Sequence, residues 1–246
     1  MLSVKAPNTI KMYTTMYEKI KMKDESELAE LFKTIAPTYA SLYLKALHHF
    51  GKDYPKLYEE YKTLSKGYVK KQVTGTYEDL IKAIDFYDES KWESCQKKLL
   101  CRMYLELPIR NDLWNATING KGNHIKDGFF YLNNYKTVKV YGPKKYELSK
   151  ETRELFDRFV KMSDDYRSNG LLFFNRLGKP IEQSKMTVYI GNMYFKATGL
   201  RIKIWDTRKI KISREHKSVE TNEDLQKLAE KYGHTIDNQL KYYCIE

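Results

Sequence analysis

Six residues from position 110 onward have side chains suited to chemistry at an anionic centre. Guanidinium groups pair with phosphate or carboxylate oxygens through two parallel hydrogen bonds. Lysine and histidine transfer protons, and a tyrosine hydroxyl can act as a nucleophile. They lie in five short local sequences: Leu-Pro-Ile-Arg, Tyr-Lys-Thr, Trp-Asp-Thr-Arg, Tyr-Gly-His and Lys-Tyr-Tyr. In chain order they are Arg110, Lys136, Trp205, Arg208, His234 and Tyr243.

Other catalytic signatures are missing from the sequence. It contains no Gly-x-x-x-x-Gly-Lys-Ser/Thr loop, which excludes a P-loop nucleotide site. Gly120, Lys121 and Gly122 lie between two predicted strands, where we expect a hairpin turn. The sequence has no His-Glu-x-x-His motif, and adjacent His48 and His49 would point about 100° apart on a helix. We therefore expect no cofactor and no catalytic metal.

The composition favours a basic intracellular protein. The 246 residues carry 44 Lys and Arg against 32 Asp and Glu, a net charge of +12 that makes a polyanion the first partner to test. Only nine of these basic residues are Arg and 21 residues are Tyr, a composition that AT-biased coding also produces. Three cysteines lack metal-ligand spacing, and the N-terminus lacks a secretory layout. No apolar run approaches the ~18 residues of a membrane span. We expect no membrane association and no secretion.

The N-terminal part of the chain is predicted to be helical and basic. Residues 1–75 carry 13 Lys and 8 acidic residues and no Arg. Apolar residues recur at i, i+3 and i+4, which predicts about four short amphipathic helices. Residues 73–76, Val-Thr-Gly-Thr, interrupt this periodicity, so we expect a domain boundary there. The predicted domains are residues 1–75 and 76–246.

The second domain combines helices with a few strands. Helical periodicity continues from residue 78 to 107, with Pro108 at its end. Further helices are predicted at 151–162, 184–198, 205–216 and 222–232. Short β-prone runs predict three strands at 114–118, 129–132 and 137–141. The expected fold class is mainly α with a small antiparallel β-sheet.

The order of these motifs resembles that of the tyrosine recombinase (phage integrase) family. That family carries an Arg, a Lys in a β-hairpin, His-x-x-Arg, Gly-His and a nucleophilic Tyr in this sequence. The resemblance covers residues 76–243, and residues 1–75 look like the family's helical core-binding domain. Pro-x-Arg-x-Asp, Tyr-Lys-Thr and the following Tyr-Gly are similar to members encoded by large DNA viruses and mobile elements. The resemblance implies DNA recombination or integration, with double-stranded DNA as partner and a homo-oligomer assembled on it.

The resemblance implies a role for each polar residue in phosphodiester exchange. Arg110 and Arg208 would clamp the scissile phosphate, since two guanidinium forks can replace metal ions there. Asp112, the family's acid at this point, would orient Arg110. Lys136 would protonate the 5'-oxygen leaving group, whose pKa lies far above 7. Nearby lysines that remain substitutes for it are Lys139, Lys144 and Lys145.

The C-terminal motifs complete the implied mechanism. Gly233 is a typical residue to end a helix, whose negative end would favour a cationic His234 that donates to the phosphate. Tyr243 would attack phosphorus and form a 3'-phosphotyrosyl bond that stores the bond energy, so ATP is not needed. Tyr242 is the rival nucleophile, and the nine-residue offset from His234 favours Tyr243.

Two departures from the family pattern leave alternatives open. Trp205 replaces the usual His or Lys; its indole N–H can donate one hydrogen bond to phosphate but carries no charge. The sequence ends three residues after Tyr243, without the C-terminal helix that many relatives donate to a neighbouring subunit. The alternatives are a type IB DNA topoisomerase that acts as a monomer and a DNA-binding relative that has lost catalysis.

Overall fold

The structure, a computed structural model, describes residues 7–67, 73–107, 109–168 and 170–242. The chain forms two compact units, Met1–Lys70 and Lys71–Glu246. No helix in these described ranges is long and apolar enough to cross a membrane.

The first unit consists of helices, and the four predicted from the sequence are confirmed. Three of them begin at a proline, which suits the first turn because its missing N–H has no intrahelical partner there. The remaining one begins after Asp24, whose side chain accepts the Glu27 N–H while Glu27 accepts that of Asp24. The helices are α1 (Pro7–Ile20), α2 (Glu25–Lys33), α3 (Pro37–His49) and α4 (Pro55–Gly67).

One apolar core holds these helices together. Phe32 lies at its centre, with its ring edge-on to Tyr61 at a centroid distance of 5.3 Å. The apolar side chains come from all four helices at the spacing that the sequence shows. The buried members are Ile20, Leu28, Phe32, Ala40, Leu44, Leu47, Leu57 and Tyr61.

The second unit contains the helices that the motifs require. The helices predicted between residues 78 and 232 are confirmed, and two short ones, α7 and α12, are additional. Helix α11 begins as its Thr221-x-x-Asp224 sequence predicts, with the Thr221 hydroxyl accepting the Asp224 N–H at 3.1 Å. The helices are α5 (Tyr77–Phe86), α6 (Trp92–Glu106), α7 (Val138–Tyr141), α8 (Lys150–Ser163), α9 (Gln183–Thr198), α10 (Ile204–His216), α11 (Asn222–Tyr232) and α12 (Ile236–Tyr242).

Helix α6 is the central element of this unit. It is buried on most of its surface and packs against α5, α8 and α10. Its buried amide, Gln96, donates to the Phe174 carbonyl and accepts the Phe174 N–H, both at 3.1 Å. Because both polar atoms of Gln96 are paired, a polar group in this core carries little desolvation cost. Helix α6 ends at Glu106 and delivers the chain to Arg110.

A small sheet provides the second surface of the unit. Its strands are β1 (Thr117–Ile118), β2 (His124–Lys126), β3 (Phe129–Leu132) and β4 (Lys144–Glu147), in the order β1-β2-β3-β4. The prediction of a purely antiparallel sheet is wrong in one detail, because β1 pairs with β2 in parallel. The segment 119–123 is consequently not the expected hairpin turn. Residue 170 fixes β1 from its other side, where the Gly170 carbonyl accepts the Ile118 N–H at 2.8 Å.

The prediction of a third strand at residues 137–141 is also wrong. Residues 137–141 alternate in the manner of a strand, yet Val138–Tyr141 form α7, and the strand begins only at Lys144. Gly142 ends this turn with φ at 68°, and its N–H donates to the Val138 carbonyl at 2.8 Å. Val140 is 75% exposed, so no buried sheet face fixes this segment in a strand. Lys136 therefore lies in the connection from β3 to α7.

Candidate active site

Two arginines that are distant in sequence line one cleft of the second unit. Arg110 follows α6, and Arg208 lies in the second turn of α10. Arg208 is only 5% exposed. A buried cation of this kind needs hydrogen-bond acceptors or an anion, because desolvation disfavours an isolated charge. The residues that line the cleft are Arg110, Asp112, Leu132, Tyr135, Lys144, Tyr146, Arg208 and Tyr232.

Asp112 fixes the backbone of the segment that carries Arg110. Its carboxylate accepts the Arg110 backbone N–H at 2.8 Å. Ile109 and Leu113 are buried on either side and anchor the turn in the core. Burial raises the pKa of Asp112, against the opposing effects of that N–H and of the Arg110 and Arg208 charges. The acid thus holds the main chain at Arg110, through a contact that its spacing alone did not indicate.

Helix α10 positions Arg208 by means of a buried acid. The carboxylate of Asp206 accepts the Lys203 N–H at 3.0 Å and the Thr74 N–H at 3.4 Å, which fixes the helix start. The Arg208 guanidinium donates to the Tyr232 carbonyl and to Nε2 of His234, the latter at 2.7 Å. Arg208 therefore connects the start of α10 to the end of α11.

His234 is positioned by the end of α11, as predicted. Gly233 adopts the left-handed conformation, with φ at 67° and ψ at 45°, and the His234 N–H donates to the Ala229 carbonyl at 3.0 Å. Burial and the charges of Arg208, Arg110 and Lys144 lower the pKa of His234 to about 3. The prediction of a cationic His234 is therefore wrong for the protein alone, because burial and three neighbouring cations outweigh the helix dipole. A neutral ring that accepts at Nε2 carries its proton on Nδ1.

The structure distinguishes two lysines of the β3–β4 connection. Lys136, which the motif indicates, is exposed. Lys144, at the start of β4, is half-buried and lines the cleft with both arginines. Its ammonium group donates to the carbonyls of Glu230 and Lys231, the latter at 3.2 Å. Burial and the Arg208 charge lower the pKa of Lys144.

Solved structures with a similar arrangement of elements include recombinases and integrases. The chain superposes on XerA recombinase with a TM-score of 0.58, 13% identity and coverage of 98% of this chain and 89% of that one. It superposes on XerH recombinase, in a pre-cleavage complex with its difH substrate, with a TM-score of 0.64, 18% identity and coverage of 96% of this chain and 76% of that one. For a lambda integrase dimer bound to a COC' core site, the TM-score is 0.59 at 15% identity, with coverage of 92% of this chain and 88% of that one.

The chain has the tyrosine-recombinase fold. The expected fold class, mainly α with a small sheet, is confirmed at this level. No protein-family model matches the sequence, and a search of curated proteins found no match. Because the sequence identities are below 20%, the structural likeness establishes the fold and leaves the reaction to the site itself.

Within this tyrosine-recombinase fold, the remaining predicted site residues are not among the side chains that line the cleft, or they lie outside the described residues. Trp205 is half-buried in the first turn of α10, with the Lys209 ammonium 5.0 Å from its ring centroid. A phosphate contact from its indole N–H stays a prediction. Tyr243 lies outside the described residues and directly follows Tyr242, the last residue of α12. No group of three or more His, Cys, Asp or Glu side chains in the described ranges could hold a metal ion.

Three tyrosines that were not predicted as site residues line the cleft. The hydroxyl of Tyr135 donates to the Gly142 carbonyl at 2.7 Å, which closes the turn around α7. The hydroxyl of Tyr146 donates to the Lys231 carbonyl at 3.2 Å, and the ring of Tyr232 lies 5.4 Å from the Arg208 guanidinium carbon. Tyr135 and Tyr232 are the first residues of Tyr-Lys-Thr and Tyr-Gly-His, but with 21 tyrosines the sequence gives no means of selecting them.

The lowered pKa of His234 predicts a pH-dependent stability. Its folded-state pKa of about 3 lies below the unfolded value near 6.5, so the unfolded chain binds an extra proton between these pH values. The stabilising effect of neutral His234 is complete above pH 6.5 and is lost as the pH falls. Between pH 7 and 5 the free energy of unfolding should drop by up to about 2 kcal/mol from this group.

Urea unfolding of His234→Gln and wild type at both pH values measures this effect. We expect a smaller drop in His234→Gln and an unchanged drop in the control His49→Gln, whose side chain is exposed. Equal drops in wild type and His234→Gln would contradict the neutral imidazole.

Proposed function

We propose that the protein is a site-specific DNA recombinase that cuts and rejoins strands through a 3'-phosphotyrosyl intermediate. The observation that carries this proposal is the convergence of Arg110 and Arg208 on one cleft, with Arg208 bonded to His234. Among the described residues, Asp112 is the one carboxylate that lines this cleft. Two guanidinium groups in such a cleft suit the binding of a phosphodiester. The fold that the chain shares with XerH site-specific recombinase and lambda integrase supports the proposal.

The proposed reaction is a transesterification at phosphorus. The Tyr243 oxygen attacks the scissile phosphate, forms the phosphotyrosyl bond and passes its phenolic proton to solvent water. The bond to the 5'-oxygen breaks, and the Lys136 ammonium supplies the proton that this leaving oxygen needs. Arg110 and Arg208 neutralise the charge on the non-bridging oxygens. A 5'-hydroxyl then reverses the step on the same or another strand, so no ATP is consumed.

The first unit is proposed to hold the duplex. The Lys and Arg positions of this unit are all lysines, which contact phosphates as point charges and suit contact with the DNA backbone better than recognition of bases. The protein is proposed to assemble as a homo-oligomer on DNA. Integration, or resolution of the genome of a mobile element or virus, would use this chemistry.

Covalent trapping tests the proposed reaction. The protein is incubated with labelled, nicked duplexes that carry candidate sites from its own element, and denatured products are resolved on a gel. We expect a protein–DNA adduct, and peptide mass spectrometry should place it on Tyr243 in preference to Tyr242. Intact DNA binding without any adduct would instead identify a non-catalytic DNA-binding protein. Relaxation of supercoiled plasmid without site dependence would identify a topoisomerase.

DNA affinity should fall steeply with salt. Each phosphate neutralised by a Lys or Arg releases counterions, so affinity drops about 10³-fold between 50 and 200 mM salt for about six contacts. The net charge of +12 supports a footprint of this size. Fluorescence anisotropy with a labelled duplex over this salt range measures the slope. A flat response would argue against DNA as the partner.

A further inference from the structure

We propose that Lys144 is a third cation that contacts the scissile phosphate, beside Arg110 and Arg208. This inference rests on the proposed function and gives Lys144 a role separate from that of Lys136. Lys136 remains the proposed proton donor to the leaving oxygen. Lys144 would instead bind a non-bridging oxygen and neutralise its charge.

The position of Lys144 supports this role. Its side chain lines the cleft that contains both arginines, and it also lines the adjoining groove that contains His234. Among the described residues that line the cleft and the groove, Lys144 is the one lysine. Lys144 therefore borders both the cleft of the two arginines and the groove of His234, where a phosphate bound by these groups would be in reach of its flexible stem.

The contacts of Lys144 place it in a row with Arg208. Its ammonium group donates to the carbonyls of Glu230 and Lys231, while the Arg208 guanidinium donates to the next carbonyl, that of Tyr232. These carbonyls form the end of α11, which carries the partial negative charge of the helix. Without DNA, this helix end thus holds two cations side by side. A phosphate carries a full charge and is a stronger acceptor, so it can draw the Lys144 ammonium away from the carbonyls.

The electrostatics of the cleft agree with an anionic occupant. Burial lowers the pKa of His234, and the charges of Arg208, Arg110 and Lys144 lower it further, so the three cations act on one small region. Asp112 is the carboxylate that lines the cleft, and burial raises its pKa. In the adjoining groove, Glu230 and Asp237 are exposed to solvent, which weakens their effect. A bound phosphate would offset the excess of positive charge.

A substrate without charge at the scissile position tests this contact. Lys144→Gln keeps a hydrogen-bond donor for the α11 carbonyls but removes the cation, and Lys144→Arg keeps the charge. Lys145→Gln is the matched control, because its ammonium group lies 3.7 Å from the centroid of the Phe129 ring, on the opposite side of β4. Each variant is compared on one mapped cleavage site that carries either the natural phosphate or a neutral methylphosphonate.

We expect Lys144→Gln to slow adduct formation on the natural phosphate by about 10- to 100-fold, the value of one charge-assisted hydrogen bond. On the methylphosphonate the defect should shrink to about threefold or less, since no charge needs neutralising. Lys144→Arg and Lys145→Gln should remain within about threefold of wild type on both substrates. An equal defect of Lys144→Gln on both substrates, or no defect, would overturn the proposal, because a purely structural role is indifferent to the phosphate charge.

A second measurement separates this inference from the proposed function. Binding of inorganic phosphate to the DNA-free protein is followed by NMR through the His234 ring signal. We expect phosphate to bind Lys144→Gln at least about tenfold more weakly than wild type, and Lys145→Gln to match wild type. A wild-type protein that forms no DNA adduct would refute the recombinase proposal alone. Unchanged phosphate binding in Lys144→Gln would refute the role of Lys144 whether or not an adduct forms.

Discussion

Tyr243→Phe is expected to form no covalent adduct with DNA. Phenylalanine has the same ring but no oxygen, so the phosphotyrosyl bond cannot form and the loss is complete. DNA binding should remain within about twofold of wild type, since only one hydroxyl is removed at a site where arginines supply the affinity. The measurement is the trapping gel described above, combined with an anisotropy titration on the same duplex.

Tyr242→Phe is the matched control for the nucleophile. It removes a hydroxyl from the last residue of α12, one position before Tyr243, and is expected to leave most adduct formation intact. An adduct that persists in Tyr243→Phe and disappears in Tyr242→Phe would reassign the nucleophile to Tyr242. An adduct that persists in both variants would exclude this tyrosine pair from the reaction.

Arg208→Ala is expected to slow adduct formation by about 10³-fold. The variant lacks the guanidinium that stabilises the transition state, and no other group supplies two parallel hydrogen bonds from this position. Arg208→Lys keeps the charge without the two-pronged geometry, so we expect a large defect there as well, within about tenfold of the alanine variant. Single-turnover adduct formation at saturating protein concentration separates this effect from weaker DNA binding.

The structural role of Arg208 requires its own control. Its guanidinium also bonds the Tyr232 carbonyl and His234, so removal loosens the connection between α10 and α11. Urea unfolding determines the folded fraction of each variant, and rates are compared per folded molecule. Arg214→Ala changes an exposed arginine of the same helix, which lies over the Tyr77 ring, and should retain near wild-type rates. If Arg208→Lys cleaves as fast as wild type, the paired hydrogen bonds are not required.

The end of α11 unites the contacts on which these predictions depend. The carbonyls of its last turn accept from Lys144, Tyr146 and Arg208, and the residue after its glycine cap is His234. Four C-terminal carbonyls of a helix have no partner within it, so these side chains satisfy groups that would otherwise require water. The same contacts hold the proposed phosphate ligands close together before DNA is bound.

Local signals in the sequence predicted the helices well. The starts of α2 and α11 depend on side chains within three residues of each other, and the Gly233 cap depends on one residue. Amphipathic spacing repeats within a single helix, so the ranges 184–198 and 205–216 differ from the observed α9 and α10 by one residue at most. The order of the motifs likewise predicted a fold that the solved structures support.

Distant contacts decided what the sequence could not indicate. The Gly170 carbonyl, far along the chain, accepts a hydrogen bond from the parallel strand β1, and the segment 137–141 is helical because no sheet face buries it. The choice of Lys144 over Lys136 as the lysine in the cleft depends on the end of α11, almost ninety residues further along the chain.

The amino-acid sequence by itself determined the helices, their caps and the order of the reactive residue types, because each of these depends on neighbours within one or two turns. Tertiary structure alone decided the charge state and the partners of those residues. His234 follows a helix end that favours a cation, yet burial and the charges of Arg208, Arg110 and Lys144, which come from three other segments, lower its pKa to about 3. Electrostatic energies depend on distance in space and on burial, and neither quantity can be obtained from spacing along the chain.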